Sequence, residues 1–510
     1  MTHRMRSTSG ESPTTSTDLC STLASRVFRR FDELNISYCH WKSNEHLDAA
    51  LAGLTDLDIL IDAARLDDAY AVLSEFDCRR GRVAAARNEP GLEDFFGIDP
   101  LNDRLIHFHV HWRLASGERH LKRFRLPWES HVLAARIRDE ATGAYMTHPA
   151  HEVVLVLVRA ALKLRWRDRV RLAAKGEAKT SVQNEAAWLM KSTDLQSVRA
   201  IATEWLSSTS ADAILAALND GATGKNLVGI RRCVLDQIGT QTSHTPLAAA
   251  LVRSRRELAW LQRGVARHYR PRPVLYGRGG TAGGLLVAVV GADGSGKSTL
   301  TGDLRRWFAP KYDTYAVYLG SGDGPSSLLR LPLRWAKEHI LGVSKSNASR
   351  TSAGGQRSKS LQLSRVIWAL VLAREKRQKL ERAMLARTRG LLVISDRYPQ
   401  TQVPGSNDGP LLSGWMHSSN PVLRFVARRE LAPYTLADRF PPDLILRLDV
   451  APDVAADRRP GQSRDYLTTR IDLVASLEFP RSRFGVIALD ANRPYDSVLG
   501  DAIQTIFSRM

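Results

Sequence analysis

Residues 285–299 read LLVAVVGADGSGKST, and this stretch decides the fold of the second half of the chain. The apolar run Leu285–Val290 predicts a strand that is buried on both faces. It continues directly into a loop with glycines at positions 291, 294 and 296, followed by Lys297 and Ser298. This order matches the pattern G-x-x-x-x-G-K-[ST], which requires a strand before it and a helix after it. The stretch therefore predicts a phosphate-binding loop.

The composition of this loop explains how it could hold phosphate. Glycines let the backbone curl so that N–H groups point inward, and the helix N-terminus adds about half a positive charge. We expect Lys297 to act as a catalytic residue on the β- and γ-phosphate oxygens, and Ser298 to bind Mg²⁺. The predicted cofactors are therefore ATP and Mg²⁺. The predicted ATP-binding residues of the loop are Gly291, Gly294, Ser295, Gly296, Lys297, Ser298 and Thr299.

Strand and helix patterns alternate after the loop. The strand candidates are Leu285–Val290, Thr314–Leu319, Leu391–Ile394, Leu444–Leu448 and Val486–Leu489. Such alternation predicts a parallel sheet covered by helices, which is an α/β fold.

Two motifs in this region resemble those of the thymidylate kinases, and the resemblance spans roughly residues 284–510. The first is the loop itself, with Asp293 in its third position; the second is LLVISDRY, residues 391–398. The resemblance implies that Asp293 contacts a hydroxyl of the acceptor and that Arg397 binds the acceptor phosphate. Asp396 lies at the carboxyl end of a predicted strand, where it could hold Mg²⁺ or its water ligands.

Two further segments resemble the same family. Residues 457–464, DRRPGQSR, are similar to its lid, and the arginines of such a lid stabilise the transition state when it closes. The lid residues predicted to be catalytic are Arg458, Arg459 and Arg464. The segment Asp490–Asn492 resembles the loop beside adenine, so Asn492 is a predicted ATP-binding residue.

The acceptor region departs from the thymidylate kinase pattern. Arg374 and Arg377 are both candidates for a second arginine at the acceptor phosphate. Residues 320–364 form a basic insertion, and Pro399–Asn420 replaces a helix start that follows the second motif in the family. The predicted acceptor is a nucleoside monophosphate. The alternatives are a sugar or another phosphorylated metabolite in surface-glycan synthesis, or a non-enzymatic role as an ATP-dependent regulator or nucleic-acid binder.

The first half of the chain resembles a diverged nucleotidyltransferase family. Residues 53–61, GLTDLDILI, place Asp56 and Asp58 on the same side of a predicted strand, where they could hold Mg²⁺ for attack on an α-phosphate. The family's third acidic position carries His109, which predicts weak or absent nucleotidyl transfer. The histidines of residues 107–111, HFHVH, share one strand face. They could form a transition-metal site, or pack and hydrogen-bond without a metal.

These patterns predict five segments in the chain. Residues 1–18 are a disordered tail, 19–150 an α+β nucleotidyltransferase-like module, 151–270 a helical segment, 271–284 a linker and 285–510 the P-loop domain. The linker is predicted from its turn-forming residues and its lack of apolar residues that could pack.

Composition limits the location and partners of the chain. Its 510 residues include four scattered cysteines, which predicts neither a disulfide framework nor a cysteine metal site. No apolar run reaches the ~18 residues of a membrane span, and the N-terminal residues lack a signal-peptide core, so we expect a cytoplasmic protein. The net charge of +20 suits anionic substrates, nucleic acid or an acidic surface, or it reflects arginine-rich coding. The expected partners are a nucleotide or phosphorylated small-molecule acceptor, an acidic surface and a second copy of the chain.

Overall fold

The computed structural model describes residues 21–84, 88–118, 120–165, 180–268, 273–280, 283–320 and 355–510. The predicted tail 1–18 and most of the predicted insertion 320–364 lie outside the described residues. Contacts divide the chain into a first unit, Met1–Gly264, and a second unit, Val265–Met510. The first unit therefore covers both the predicted module 19–150 and most of the predicted helical segment, and the boundaries of the five predicted segments stay predictions.

The second unit is a parallel α/β fold, as predicted. Its strands are β10 Arg278–Gly280, β11 Leu285–Gly291, β12 Thr314–Tyr318, β13 Leu392–Asp396, β14 Leu444–Asp449 and β15 Val486–Asp490. Its helices are α11 Lys297–Phe308, α12 Gly355–Thr388, α13 Pro421–Arg439, α14 Pro452–Arg458, α15 Arg464–Ala475 and α16 Tyr495–Phe507. The sheet order is β12-β13-β11-β14-β15, and every neighbouring pair is parallel. The five predicted strands are confirmed.

The position of β11 in this sheet explains its sequence. It lies between β13 and β14, and all seven of its residues are buried. A central strand covered on both faces requires an uninterrupted apolar run rather than alternation. Parallel pairing brings the carboxyl ends of β11 and β13 to the same edge, with Val289 opposite Asp396. The phosphate loop and the second motif therefore meet at one edge of the sheet.

The first unit combines a mixed sheet with helices. Its strands are β1 Tyr38–His40, β2 Leu57–Ile61, β3 Arg79–Val83, β4 Leu92–Ile98, β5 Leu105–His111, β6 Leu114–Glu118, β7 Leu121–Leu126, β8 Ile137–Arg138 and β9 Tyr145–Met146. Its helices are α1 Leu23–Glu33, α2 Leu47–Leu51, α3 Leu66–Glu75, α4 Glu129–Ala134, α5 Pro149–Leu162, α6 Thr180–Leu189, α7 Leu195–Trp205, α8 Ser208–Asn219, α9 Gly224–Ile238 and α10 Pro246–His268. Within this unit the sheet order is β3-β4-β5-β2-β1-β9-β8, and β6 pairs with β7.

Helix α5 organises the larger core of the first unit. Twelve of its fourteen residues are buried, and it packs against α6, α7, α9 and the strand β6. A helix that is apolar on nearly every side must be covered by other elements. The predicted helical pattern from residue 151 is confirmed in the described residues, and it forms part of the first unit's core. No helix of the described residues is long and apolar enough to cross a membrane.

Candidate active site

The phosphate loop has the backbone conformation that its glycines predict. Gly296 caps α11 with a φ of +89°, and Gly294 has a φ of +84°. A Cβ atom at Gly294 would lie 2.8 Å from the backbone oxygen of Ala455, which is too close for a side chain. Only glycine fits there without strain, because a positive φ and a close backbone approach both disfavour a Cβ.

Lys297 is held inside this loop. Its side chain is buried, and its Nζ donates a hydrogen bond to the backbone oxygen of Ala292 at 2.6 Å. Burial, assisted by the nearby Arg397 guanidinium, lowers the pKa of Lys297 to about 8. A phosphate group next to this ammonium would compensate for its lost hydration, because an opposite charge favours the charged form.

Ser298 and Asp396 meet beside Lys297. The Ser298 hydroxyl donates a hydrogen bond to Asp396 Oδ2 at 2.6 Å. The other carboxylate oxygen of Asp396 is buried and has no hydrogen-bond partner among the described residues. A buried carboxylate oxygen next to a hydroxyl offers the hard oxygen ligands that Mg²⁺ prefers. These two residues therefore fit the predicted magnesium site, whose assignment stays a prediction.

Asp293 and Arg397 form a pair at the mouth of the loop. Arg397 Nη2 lies 2.8 Å from Asp293 Oδ1, and its Nη1 lies 3.4 Å from Asp408. Burial alone would raise the pKa of Asp293, but the Arg397 guanidinium holds that pKa below its usual value. Arg397 has a left-handed φ of +69°, and its N–H donates to the backbone oxygen of Val289 at 3.0 Å. The sheet thus fixes the position of this arginine.

The segment that replaces the family's helix start forms an ordered loop instead. The buried Gln400 amide donates to the backbone oxygens of Val403, Ser406 and Asn407 at 2.9–3.1 Å. These bonds bring Asp408, which has a φ of +66°, against Arg397. The loop therefore takes part in positioning the Asp293–Arg397 pair.

Two cations beside this loop were missed by the sequence reasoning. Lys376 is fully buried, and its Nζ donates to the backbone oxygen of Asp408 at 3.0 Å and to the Tyr434 hydroxyl at 3.3 Å. Arg470 of α15 hydrogen-bonds to Ser406, and its charge helps to lower the pKa of Asp293. The signal for Lys376 was a lysine at a position of α12 where the helical spacing predicts an apolar residue. No feature of the sequence indicated Arg470.

The two candidate arginines of α12 lie on its exposed side. Arg374 and Arg377 are both exposed, and Arg377 forms a surface pair with Glu381 at 2.9 Å. Glu375 and Lys376 occupy the buried side of this helical turn. Their assignment to the acceptor stays a prediction.

The structure brings one of the three lid arginines to the loop. Arg458 donates to the backbone oxygens of Gly294 at 3.4 Å and Ala491 at 3.1 Å. Arg459 is exposed, and Arg464 pairs on the surface with Asp453 at 2.9 Å. Arg459 and Arg464 would have to move to reach a phosphate in the loop.

A cleft of about 250 Å³ adjoins the phosphate loop. Its lining residues are Ser295, Gly296, Thr299, Leu300, Leu448, Arg458, Ala491, Arg493, Tyr495 and Val498. The predicted residue Asn492 is next to this lining, and its side chain accepts a hydrogen bond from the Ala451 N–H at 2.8 Å. Asn492 therefore fixes the cleft's wall, and its contact with ATP stays a prediction.

The first unit contains a second group of charged residues, which we call the Asp–His cluster: Asp56, Asp58, Asp94, His107, His109 and His111. His107 contacts Asp56 at 2.7 Å and Asp94 at 2.6 Å through its two ring nitrogens. His109 contacts Asp94 at 2.8 Å and Asp58 at 3.1 Å. The predicted strand face of the three histidines is confirmed.

Asp94 was missed by the sequence reasoning, which placed His109 where a third carboxylate was expected. Strand β5 lies between β2 and β4, so that His109 is opposite Asp58 on one side and Asp94 on the other. The cluster thus contains three carboxylates. The signal for Asp94 was an acidic residue inside the otherwise apolar stretch of residues 92–98, LEDFFGI.

Cations surround the Asp–His cluster. Lys42 Nζ lies 2.7 Å from Asp58 Oδ1, and burial lowers the pKa of this lysine. Burial would raise the pKa of Asp58, but Lys42 and the neighbouring histidines hold it well below its usual value.

Burial also lowers the pKa of Lys163 to about 7, with Arg159 adding to the effect. The pKa of His109 is raised to about 9 despite its burial, because Asp58 and Asp94 stabilise its charged form.

Comparison with known proteins gives the family. The chain is 30% identical over 226 residues to "Uncharacterized ATP-binding protein YghR" of Escherichia coli K12, an alignment that covers 43% of this chain and 86% of YghR. This chain belongs to the YghR family. A second Escherichia coli K12 protein, "Uncharacterized ATP-binding protein YghS", is 29% identical over 231 residues, or 44% of this chain and 93% of YghS. No protein-family model matches the chain.

The solved structures include a deoxyadenosine kinase from M. mycoides with bound dATP. It matches with a TM-score of 0.24 and 11% identity, over 43% of this chain and 98% of that kinase. The nucleotidyltransferase resemblance of residues 19–150 finds no support in these matches and stays a prediction.

Proposed function

We propose that the second unit is an ATP- and Mg²⁺-dependent phosphotransferase. The proposal depends on one observation, which is that Lys297 and the hydrogen-bonded pair Ser298–Asp396 meet at the carboxyl edge of a parallel sheet. Open α/β sheets bind ligands at this edge. The relatives YghR and YghS are both named as ATP-binding proteins, which supports ATP as the phosphate donor.

Each residue of this edge has a role in phosphoryl transfer. The loop's N–H groups and the Lys297 ammonium would hold the β- and γ-phosphates, and Ser298 and Asp396 would hold the metal. Mg²⁺ bound there would neutralise charge on the phosphates. Arg458 donates to the loop's own Gly294 oxygen, so a small movement would bring its guanidinium to the transferring group.

The Asp293–Arg397 pair supports an acceptor that carries both a hydroxyl and a phosphate. The Arg397 guanidinium offers donors in the fork geometry that matches phosphate, and the Asp293 carboxylate accepts from a hydroxyl. A nucleoside monophosphate has both groups, so it is the acceptor that we propose first. A sugar phosphate also has both, and the ordered loop Pro399–Asn420 differs from the thymidylate kinase pattern. A phosphorylated sugar of surface-glycan synthesis is therefore the alternative.

An acceptor screen tests this proposal. ADP release by the full chain is measured with ATP and Mg²⁺ against nucleoside monophosphates, sugars and sugar phosphates, and Lys297→Ala is measured beside it. We expect one class to stimulate ADP release in the unchanged protein and none to do so in the variant. If no acceptor stimulates ADP release while nucleic acid binds with a steep salt dependence, the phosphotransferase proposal fails and the regulator alternative holds.

The location and further partners of the chain are also proposals. A cytoplasmic location, association with an acidic surface and a homodimer rest on composition alone. Nucleotidyl transfer by the first unit is proposed to be weak or absent, since Asp56 and Asp58 are each engaged by histidines.

A further inference from the structure

We propose that the first unit binds a divalent transition-metal ion, of the Zn²⁺ and Co²⁺ class, through Asp58, His109 and His111. This site is separate from the proposed phosphotransferase site in its residues and in the chemistry of its ligands. It uses two imidazoles and one carboxylate, whereas Ser298 and Asp396 offer oxygen alone.

The distances fit a shared metal ion. Asp58 Oδ1 lies 3.1 Å from His109 Nδ1 and 3.2 Å from His111 Nε2. Two ligands that are each about 2.1 Å from one metal ion lie about 3.0–3.4 Å apart in octahedral or tetrahedral geometry. The three ligand atoms therefore need little movement to coordinate one ion, which would replace the proton shared between His109 Nδ1 and Asp58.

The backbone holds these ligands in place. Asp58 of β2 pairs with His109 of β5, and His111 is two residues further along the same strand face. The other nitrogen of His109 lies 2.8 Å from Asp94 Oδ1. A carboxylate behind a metal-binding histidine fixes the ring orientation and increases its basicity, which is a recurring feature of metal sites.

These three side chains are the proposed ligands because they are accessible to an ion from solvent. Their side chains are 11–17% exposed, so an ion and a further ligand could reach them. His107 is fully buried with both ring nitrogens engaged by carboxylates, so we do not include it. Imidazole suits Zn²⁺, Co²⁺ and other transition metals, whereas Mg²⁺ prefers oxygen and keeps its water ligands. The ligand set thus selects against Mg²⁺.

Lys42 provides the sharpest test of the proposal. Its ammonium lies 2.7 Å from Asp58 Oδ1, the oxygen that the ion would use. Lysine and metal therefore compete for one atom, and Lys42→Gln should bind the metal more tightly than the unchanged protein. If the cluster is only a network of ion pairs, removing Lys42 gives no gain in metal affinity.

The experiment measures Co²⁺ binding to the full, tag-free chain without nucleotide, from visible d–d absorption and its displacement by Zn²⁺. We expect a band in the unchanged protein, its loss in His109→Gln and His111→Gln, and its retention in His46→Gln. His46 is an exposed histidine of the same unit that contacts Glu45 at 3.2 Å, so it is a matched control. Asp94→Asn should weaken Co²⁺ binding about 10- to 100-fold, because it removes the carboxylate behind His109.

Two outcomes would overturn the proposal. One is no Co²⁺ band in the unchanged protein at saturating Co²⁺; the other is a band of equal intensity in folded His109→Gln and His111→Gln. Circular dichroism identifies variants that have not folded. If both histidine variants fail to fold, the Asp94→Asn and Lys42→Gln proteins decide, since the proposal requires their Co²⁺ affinities to change in opposite directions.

Discussion

The guanidinium of Arg397 lies 2.8 Å from the carboxylate of Asp293, which joins the second motif of the sequence to the phosphate loop. The two residues are 104 positions apart in the chain, and parallel pairing of β11 with β13 brings them together. Each of the two charges neutralises the other. An acceptor with a hydroxyl and a phosphate could engage both groups at once.

Asp293→Asn is expected to raise KM for the acceptor by about 10-fold to 100-fold and to leave KM for ATP nearly unchanged. A hydrogen bond to a charged group contributes about 1.5–3 kcal/mol, and the variant retains the shape of the side chain. Steady-state kinetics with each substrate varied in turn would measure this. Glu381→Gln is the matched control, because Glu381 pairs with Arg377 on the exposed surface of α12. A change confined to KM for ATP would contradict the acceptor role.

Lys297→Ala is expected to lower phosphoryl transfer by about 100-fold or more while the second unit stays folded. One preorganised charge on the transferring group contributes several kcal/mol to transition-state stabilisation. Turnover and circular dichroism are measured together, with Lys311→Ala as a lysine control outside the loop. Unchanged turnover in a folded Lys297→Ala protein would remove this residue from the site.

The affinity for ATP is expected to fall as the pH rises from 7 to 9. The free protein has a Lys297 pKa of about 8, and bound phosphate raises that pKa because it favours the ammonium. Binding at pH 8 must therefore take up protons, and affinity is lost as free Lys297 deprotonates. Calorimetry in two buffers with different ionisation enthalpies measures this uptake. Lys297→Arg cannot lose its charge in this range, so it should bind ATP with less pH dependence.

The backbone conformation of the loop could be predicted from the sequence because its requirements are local. The loop consists of a strand, a glycine-containing turn, a lysine and a hydroxyl residue in direct succession. A steric or electrostatic requirement explains each of them. The residues of the proposed acceptor side, by contrast, meet only after folding. Arg374 and Arg377 matched a spacing, yet Lys376 faces the interior between them. Asp94 meets His109 through antiparallel pairing, which spacing along the chain does not specify.

Replacing the three lid arginines Arg458, Arg459 and Arg464 with alanine is expected to lower kcat far more than it weakens ATP binding. Arg458 now contacts backbone oxygens, and Arg464 pairs with Asp453 on the surface. Groups that reach the phosphate only on closure act mainly in the transition state. Single-turnover kinetics measures the effect on kcat, and ATP titration measures the effect on ATP affinity. A double variant with Arg428→Ala and Arg429→Ala is the charge control. A loss of ATP affinity with unchanged turnover of bound ATP would assign these arginines to ground-state binding.

Metal-assisted nucleotidyl transfer by the first unit is expected to stay near background. Two-metal transfer needs carboxylates that are available to Mg²⁺, but Asp58 Oδ1 is contacted by Lys42, His109 and His111. The remaining carboxylates Asp56 and Asp94 both contact His107.

The measurement is pyrophosphate release from each nucleoside triphosphate with Mg²⁺ and candidate acceptors. It uses the full chain with Lys297→Ala, so that the proposed phosphotransferase does not consume the substrate. We expect the rate to be the same with and without Asp58→Asn. Rapid pyrophosphate release that Asp58→Asn abolishes would show a working nucleotidyltransferase. Such activity would also require substrate binding to move Lys42 away from Asp58, because only then could this carboxylate bind Mg²⁺.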